Sequence, residues 1–178
     1  MSTKETIHKA LQNIANMDSH YYAEHNLIMA KHPSETDLRL MVRLVAFILN
    51  AVEELEFCKG ISQEDEPAQW QKYLDGGIEL WIDLGQPDEK RIKKACGRSE
   101  KVIIYTYQEG MATSWWKQIQ TSLTRFSNLQ VIHLDIEGDI EHLVKRSMSI
   151  QANISDNELT MMDEEESVVI KEKSWMDR

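Results

Sequence analysis

The sequence predicts an α/β fold of mixed α+β character, in which a mixed sheet is flanked by helices. Three observations support this prediction: hydrophobic residues recur at helical spacing from Leu38 to Val52, strand, helix and strand patterns follow one another over residues 78–107, and further apolar runs of strand length lie on both sides. Such alternation is typical of a sheet that carries helices on its faces. The length of 178 residues fits a single domain over residues 1–178.

The first part of the chain predicts a β-hairpin followed by a core helix. Residues 6–14 and 21–30 are β-prone and flank a polar turn, which is the pattern of two paired strands. The helix is predicted from Ser34 to about Glu54, because apolar residues recur there every three or four positions. Asp37 completes a weak capping box at its start.

The segment after the core helix is less regular. Residues 55–61 could form a short strand, and residues 63–67 form a loop or the start of a helix. Pro67 suits the first position of a helix, because that position needs no backbone N–H.

A strand, a helix and a second strand are predicted next. The strand covers residues 78–84, the helix runs from about Pro87 to Cys96, and the second strand covers residues 101–107. Gly97 suits the left-handed residue just past the end of the helix. This order predicts a βαβ unit with parallel strands and a right-handed crossover.

The remainder predicts two further helices and three strands. The helices are predicted over residues 112–126 and 139–148, and the strands over residues 131–135, 150–154 and 168–171. Asp139 is placed to cap the second of these helices. The order of the strands in the sheet is not predicted.

The composition is that of a soluble globular protein. It is 42% hydrophobic and 28% charged, which does not favour disorder. No run approaches the roughly 20 apolar residues that span a bilayer, and the first residues lack the apolar core of a secretory signal. Cys58 and Cys96 form neither a CxxC motif nor a disulfide framework. We therefore expect a cytoplasmic protein without a membrane partner.

The charge is acidic but unevenly distributed. The net charge of -10 argues against a protein that coats nucleic acid by charge alone. Basic residues nevertheless gather between Lys90 and Lys101, and acidic residues gather at residues 163–166, where we expect a solvated turn.

Carboxylates inside the strand at residues 78–84 mark the first candidate site. Glu79, Trp81 and Asp83 alternate along the strand and therefore share one face. Charged groups rarely lie in a β-rich apolar run unless something offsets their desolvation, although an edge strand with a solvated acidic face is an equal alternative. Asp83 and Gln86 lie where the strand passes into the helix, a usual position for ligands in α/β sheets.

Four motifs of this chain strongly resemble those of the bacterial YaeQ family. They are His20-Tyr21-Tyr22, residues 31–37, residues 78–90 and Lys94-Ala95-Cys96-Gly97. The resemblance covers essentially the whole chain. It implies a variant of the PD-(D/E)XK nuclease fold, the fold of restriction endonucleases.

The resemblance also implies a Mg²⁺ site. In PD-(D/E)XK nucleases, one acid on a strand and an acid-any residue-lysine motif on the next strand hold Mg²⁺ against the scissile phosphate. Carried over to this chain, the resemblance implies Asp83 as the central metal ligand and Gln86 as the group that positions water. Glu79 and Glu35 are the other candidate catalytic and metal-ligating residues, and Lys90 or Lys94 would supply positive charge.

Two positions depart from the nuclease motif. Gly85 stands where the motif has lysine, and Ala68, after Pro67, stands where it has the first acid. In addition, the α-carbons of Glu79 and Asp83 would be about 13 Å apart along a regular strand, too far for one ion. Glu79 is therefore expected either to contact the ligands of the metal ion without binding the ion itself or to act from a second site.

Other residues have competing interpretations. Trp81, with Lys90 and Lys94, could contact nucleic acid, but aromatic residues at strand spacing are usually core residues. The basic residues of the predicted helix could hold phosphates or only complement the helix dipole. His20, His25 and His32 lack the spacing of a zinc site.

Two function classes follow from the sequence. The first is a Mg²⁺-dependent phosphodiesterase that acts on DNA or RNA. The second is a non-catalytic protein of the nuclease fold that binds nucleic acid or a protein partner, because it lacks the lysine and the first acid of the motif.

Overall fold

The structure is a computed structural model that describes residues 4–58 and 65–177. Within these residues the fold is mixed α/β, with ten strands in one mixed sheet and three α-helices. The strands are β1 (Thr6–Asn16), β2 (Tyr21–Lys31), β3 (Leu55–Phe57), β4 (Gln69–Lys72), β5 (Ile78–Leu84), β6 (Ser99–Thr106), β7 (Leu129–Glu137), β8 (Ser147–Ser155), β9 (Glu158–Met162) and β10 (Ser167–Met176). The helices are α1 (Asp37–Leu49), α2 (Glu89–Arg98) and α3 (Glu109–Leu123), with a short 3₁₀ helix at Ile140–Leu143. In the described ranges, no helix has both the length and the apolar character that a membrane crossing requires.

The sheet has the strand order β2-β1-β8-β9-β10-β7-β6-β5-β4-β3. The chain forms two compact units. The first unit comprises the described residues 4–48 and 135–172, and the second comprises residues 49–58, 65–134 and 173–177. The prediction of one domain over the whole chain stays a prediction.

The first unit begins with the predicted hairpin, which is confirmed. Strands β1 and β2 pair antiparallel from Thr6 opposite Lys31 to Asn16 opposite Tyr21. Strand β1 also pairs with β8, in parallel, and β8, β9 and β10 form an antiparallel meander. Every side chain from residue 40 to residue 48 of α1 is buried, and the rings of Phe47 and His25 pack in a T-shaped arrangement with centroids 5.2 Å apart.

The second helix predicted in this region is wrong. Residues 139–148 contain only the 3₁₀ turn at Ile140–Leu143, because the following residues join the sheet. The backbone carbonyl of Arg146 accepts a hydrogen bond from Lys9 N at 2.8 Å, and that of Lys145 contacts His8 Nδ1 at 2.8 Å. Pairing with β1 therefore overrides the local preference for a helix.

The second unit contains the predicted βαβ arrangement, which is confirmed. Strands β3, β4 and β5 are antiparallel neighbours, and β5, β6 and β7 run parallel. Helix α2 connects β5 to β6, and α3 connects β6 to β7. A hydrophobic core forms beneath these helices, and its members include Trp81, Ile92, Val102, Leu123 and Val131.

Several boundaries differ from the predictions. Helix α1 ends at Leu49, five residues early, where Asn50 Nδ2 donates a hydrogen bond to Tyr105 Oη at 2.8 Å. Pro67 starts no helix, because Ala68 N donates to Ile82 O at 3.0 Å and the chain continues into β4. Residues 59–64, which belong to the predicted strand and loop, lie outside the described residues. Gly97 lies inside α2 and not after it.

Candidate functional site

The turn between β5 and α2 positions the candidate site in the second unit. Gly85 has a φ of +89°, and its backbone N–H donates to Tyr105 O at 2.8 Å, so the chain leaves the strand at once. Glycine adopts this φ without strain, whereas any residue with a side chain, lysine included, would strain the turn. Asp88 then caps α2 by accepting a hydrogen bond from Arg91 N at 2.8 Å.

Asp83 is buried and ion-paired. Its side chain is 7% exposed, and its two oxygens accept hydrogen bonds from Arg91, with Nε–Oδ2 at 2.9 Å and Nη2–Oδ1 at 3.0 Å. This is the bidentate geometry in which the planar guanidinium group matches a carboxylate. Asp83 is therefore the counter-ion of Arg91 in this structure.

Two further contacts fix the position of Arg91. Its Nη2 donates to the backbone carbonyl of Glu66 at 2.8 Å, and its guanidinium carbon lies 5.8 Å from the centre of the Trp81 ring. The side chain keeps 28% of its surface exposed. Arg91 is thus held by three neighbours while part of it still faces solvent.

Trp81 lies in the core. It is 1% exposed, packs edge-on against Trp70 with ring centroids 6.2 Å apart, and lies 5.4 Å below the guanidinium carbon of Arg98. The predicted common face of Trp81 and Asp83 is present, but both side chains are buried, so the alternative of a solvated acidic face is wrong. A side chain this buried offers no ring face for a base to stack upon.

Glu79 and Gln86 lie on either side of Asp83 along the chain. Glu79 is partly buried, accepts a hydrogen bond from Gln71 Nε2 at 2.8 Å and lies opposite a register shift between Gln71 and Lys72. The amide nitrogen of Gln86 is buried and has no hydrogen-bond partner among the described residues. Their predicted roles as a second-site acid and a water-positioning group stay predictions.

Glu35 lies in the first unit, two residues before the start of α1, where it binds two arginines. Its carboxylate accepts hydrogen bonds from Arg39 Nη1 at 2.6 Å, and from Arg43 Nε and Nη2 at 2.9 Å each. Burial lowers the pKa of Arg43, and the charge of Glu35 opposes that effect. Glu35 is therefore the buried counter-ion of this arginine pair.

The arrangement of these acids does not fit a Mg²⁺ site. No group of three or more His, Cys, Asp or Glu side chains within residues 4–58 and 65–177 lies close enough to hold a metal ion. Mg²⁺ requires nearly octahedral oxygen ligands at about 2.1 Å. At both Asp83 and Glu35, each oxygen already accepts a hydrogen bond from an arginine. A metal ion at either carboxylate would therefore compete with an arginine for the same oxygens.

A basic surface borders the Asp83–Arg91 ion pair. Lys90, Lys93 and Lys94 are exposed on α2, and a cavity of about 350 Å³ is lined by Asp88, Lys90, Arg91 and Lys94. Lys94 Nζ contacts Asp65 Oδ1 at 2.5 Å, whereas Lys90 and Lys93 form no ion pair with any residue that the structure describes. The site therefore combines one fixed arginine with exposed lysines.

Sequence reasoning missed the three arginines that bind these carboxylates, Arg39, Arg43 and Arg91. Arg39 and Arg43 follow Glu35 by four and eight residues, a spacing that places side chains on one side of a helix, and that signal was available. Arg91 follows Asp83 by eight residues across a turn, and no local periodicity connects the two. Lys90 and Lys94, which the sequence predicts as the source of positive charge at the site, lie on the same helix. The residue that contacts Asp83 is nevertheless Arg91.

Comparisons with known proteins identify the family. The model of the family described as "YaeQ protein" matches residues 1–172. The chain is 39% identical over 177 residues to the "Uncharacterized protein YaeQ" of Escherichia coli (strain K12), and 41% identical over 178 residues to that of Salmonella typhi, with 98% of each chain covered in both comparisons.

Two crystal structures are also similar. The YaeQ protein from Xanthomonas axonopodis pv. citri superimposes with a TM-score of 0.95 at 41% identity, covering 98% of this chain and 100% of the other. The YaeQ protein from Pseudomonas syringae gives a TM-score of 0.90 at 26% identity, covering 98% and 97%. A family model and relatives that match nearly the full length leave one conclusion: this chain belongs to the YaeQ protein family.

Proposed function

We propose that this chain binds nucleic acid without hydrolysing it, and that it holds phosphate groups on the surface of α2. One observation carries the proposal: Asp83 fixes Arg91 in a bidentate ion pair at the wall of a cavity that Lys90 and Lys94 also line. Asp83 then serves to position a phosphate-binding arginine and not to hold a metal ion.

The chemistry of these side chains favours phosphate. Arginine and lysine are the side chains that usually provide positive charge and N–H donors to phosphate groups. A side chain that is already fixed loses little conformational entropy on binding, so its contacts add more to affinity. The exposed Lys90 and Lys94 can then move to complete the contacts.

The distribution of charge agrees with this location. Acidic residues outnumber basic ones two to one in the sequence of the first unit, whereas the two are nearly balanced in the second. Five of the ten residues of α2 are basic, namely Lys90, Arg91, Lys93, Lys94 and Arg98. A local basic surface of this kind can attract a polyanion even though the net charge of the chain is -10.

We further propose that the fold is a variant of PD-(D/E)XK. The motif requires its first acid on a strand next to the strand that carries the second acid. Residue 68 immediately precedes β4, and the hydrogen bond from Ala68 N to Ile82 O brings it beside the strand that carries Asp83, which supports this proposal. With a methyl group at Ala68 and no side chain at Gly85, two of the three motif functions are missing, which supports binding over hydrolysis.

Binding is tested by the fluorescence anisotropy of labelled oligonucleotides of single-stranded DNA, single-stranded RNA and duplex DNA. We expect Lys90→Ala and Lys94→Ala to weaken binding and to reduce its dependence on salt, because each lysine lost removes about one counterion-releasing contact. Lys117→Ala, which removes an exposed lysine of α3, is the matched control and should leave binding unchanged. Equal effects of all three substitutions would locate the binding surface elsewhere.

Hydrolysis is tested with the same oligonucleotides in the presence of Mg²⁺ or Mn²⁺. We expect no cleavage and no metal-dependent shift in the melting temperature, because the carboxylates of Glu35 and Asp83 already form ion pairs with arginines. The proposal is overturned if cleavage requires the metal and disappears in Asp83→Asn. That result would favour a Mg²⁺-dependent nuclease in which Arg91 leaves Asp83 when the metal binds.

A further inference from the structure

We infer that the outer edge of β2 pairs with the same strand of a second copy of this chain, so that the protein forms a symmetric dimer. The inference concerns the first unit and does not depend on the proposed function. It follows from three features of β2: the direction of its backbone groups, the weak protection of its edge, and the match between its exposed side chains across a two-fold axis.

The backbone of β2 turns every second residue towards the outer edge of the sheet. Lys9 N donates a hydrogen bond to Arg146 O at 2.8 Å, and Met17 N, directly after β1, donates to Ile154 O at the same distance. The odd-numbered residues of β1 therefore bond towards β8 and its even-numbered residues towards β2. The register pairs those even-numbered residues with the odd-numbered residues of β2. Residues 22, 24, 26 and 28 consequently direct their N–H and C=O groups away from β1.

This edge carries little of the protection that sheet edges usually have. Strand β2 ends the strand order, and no other strand in the described part of the chain pairs with its outer side. Proteins usually protect such an edge with a short strand, a proline, a bulge or charged side chains. Strand β2 has 11 residues and no proline, and it pairs with β1 in one unbroken register. Between positions 21 and 30, Glu24 is the only Asp, Glu, Lys or Arg residue. An edge of this kind is well suited to pair with another strand.

A two-fold axis at His25 brings the exposed side chains of β2 into matching positions. In an antiparallel pair of identical strands, residues that lie equally far before and after the axis face each other. Tyr22 and Ile28, which are 61% and 68% exposed, would then lie opposite each other, and Glu24 would lie opposite Asn26. Each of these contacts occurs twice.

Other axes along the strand give poorer matches. An axis at Glu24 would place the two Glu24 carboxylates against each other, and like charges in opposite positions are unfavourable. An axis at Asn26 would place Glu24 against the apolar side chain of Ile28. The axis at His25 joins the two large apolar side chains with each other and opposes no like charges on this strand.

The same axis also matches the backbone groups. The pairs 22–28 and 24–26 join residues whose N–H and C=O groups point outward, so each pair can exchange two hydrogen bonds. Beyond them, the carbonyl of Ala30 already accepts a hydrogen bond from Arg43 Nη2 at 2.9 Å, which sets the end of the paired segment. Because each chain uses the same edge, the interface is self-complementary and closes after two copies.

The test changes the charge at Asn26, which faces Glu24 across the proposed axis. Asn26→Glu creates two pairs of like charges in the interface, and we expect it to weaken dimerisation about tenfold. Asn26→Lys creates two pairs of opposite charges, and we expect it to strengthen dimerisation about tenfold. Analytical ultracentrifugation over a range of protein concentrations measures the dissociation constant of each variant.

The matched controls are Gln118→Glu and Gln118→Lys, which make the same changes in net charge at an exposed position of α3 and should leave the dissociation constant unchanged. Position 26 is exposed, and circular dichroism verifies that its variants keep the fold. A wild-type protein that stays monomeric at every concentration overturns the inference. Effects of the same sign in both Asn26 variants exclude the axis at His25, and equal effects at Gln118 would show that net charge alone governs association.

Discussion

Arg43 donates hydrogen bonds from Nε and Nη2 to the two carboxylate oxygens of Glu35, each at 2.9 Å, and both side chains are only 2% exposed. The Nη2 group also donates to the backbone carbonyl of Ala30 at 2.9 Å. The ion pair thereby connects the start of α1 to the end of β2. Its position explains why a glutamate that the sequence suggests as a metal ligand has a structural role.

We predict that Arg43→Met lowers the free energy of unfolding by about 3–5 kcal/mol, because it leaves a buried carboxylate with only part of its partners. Urea denaturation measures the change. Arg125→Gln is the matched control, since it breaks the exposed pair with Glu89 and should cost about 0–1 kcal/mol. A similar small cost for both variants would contradict a structural role for the buried pair.

Gly85 and Gly97 offer a matched pair of substitutions. An added Cβ meets no atom within 4 Å at either position, but Gly85 has a φ of +89° while Gly97 lies within α2. We predict that Gly85→Ala costs about 1–2 kcal/mol through the left-handed backbone. Gly97→Ala should raise the free energy of unfolding by about 0.5–1 kcal/mol, because alanine favours the helix. Thermal denaturation of the two variants compares them, and the same sign for both would refute the argument from backbone conformation.

The pH dependence of stability should change when Glu172 is replaced. Burial raises the pKa of Glu172, and the charge of Asp18 raises it further. The folded protein therefore favours the neutral form of Glu172. The resulting contribution to the free energy of unfolding is present at low pH and is lost as the pH rises through the folded-state pKa. We predict that Glu172→Gln increases the free energy of unfolding at neutral pH and has less effect in mild acid.

Asp163 provides the control of opposite sign for this prediction. The backbone N–H groups of Glu166 and Glu165 donate to its carboxylate and lower its pKa, and Lys145 lowers it further. This contribution is present at neutral pH and lost as the pH falls. Asp163→Asn should therefore reduce stability at neutral pH, with a difference from the wild type that narrows in acid. The stability of each variant relative to the wild type is measured as a function of pH. If the two differences changed with pH in the same direction, the charges of these side chains would not explain the pH dependence.

Much of the fold follows from local sequence patterns. The β1–β2 hairpin and the β5-α2-β6 unit are predicted correctly because alternation, helical spacing and turn residues all lie within short windows. Strand β9 is not predicted, although Asp156 and Asn157 have the positive φ angles of a tight hairpin turn. The residues that follow the 3₁₀ turn are wrongly predicted as helix, because the local sequence pattern does not reveal that they pair with β1. That partner strand lies far away in the sequence.

The candidate site is predicted only in part, for a similar reason. A carboxylate in a β-rich apolar run indicates that Asp83 needs a partner, and this expectation locates the ion pair. Which residue becomes the partner depends on the turn at Gly85 and on which side chains of α2 face back toward β5. These two features determine that Arg91, and not Lys90 or Lys94, contacts Asp83. Neither feature can be read from the spacing of residues in the sequence.

The parallel pairing of β1 with β8 has a consequence for synthesis on the ribosome. Lys9 pairs with Ser147, so the first strand emerges well before its neighbour exists. Until then it has only β2, and an isolated two-stranded hairpin is marginally stable in water. At about 5–20 residues per second, the nascent hairpin waits for several seconds with an unmatched edge. During this interval the unpaired edge of β1 can pair with another chain, which is the usual hazard of an exposed strand edge.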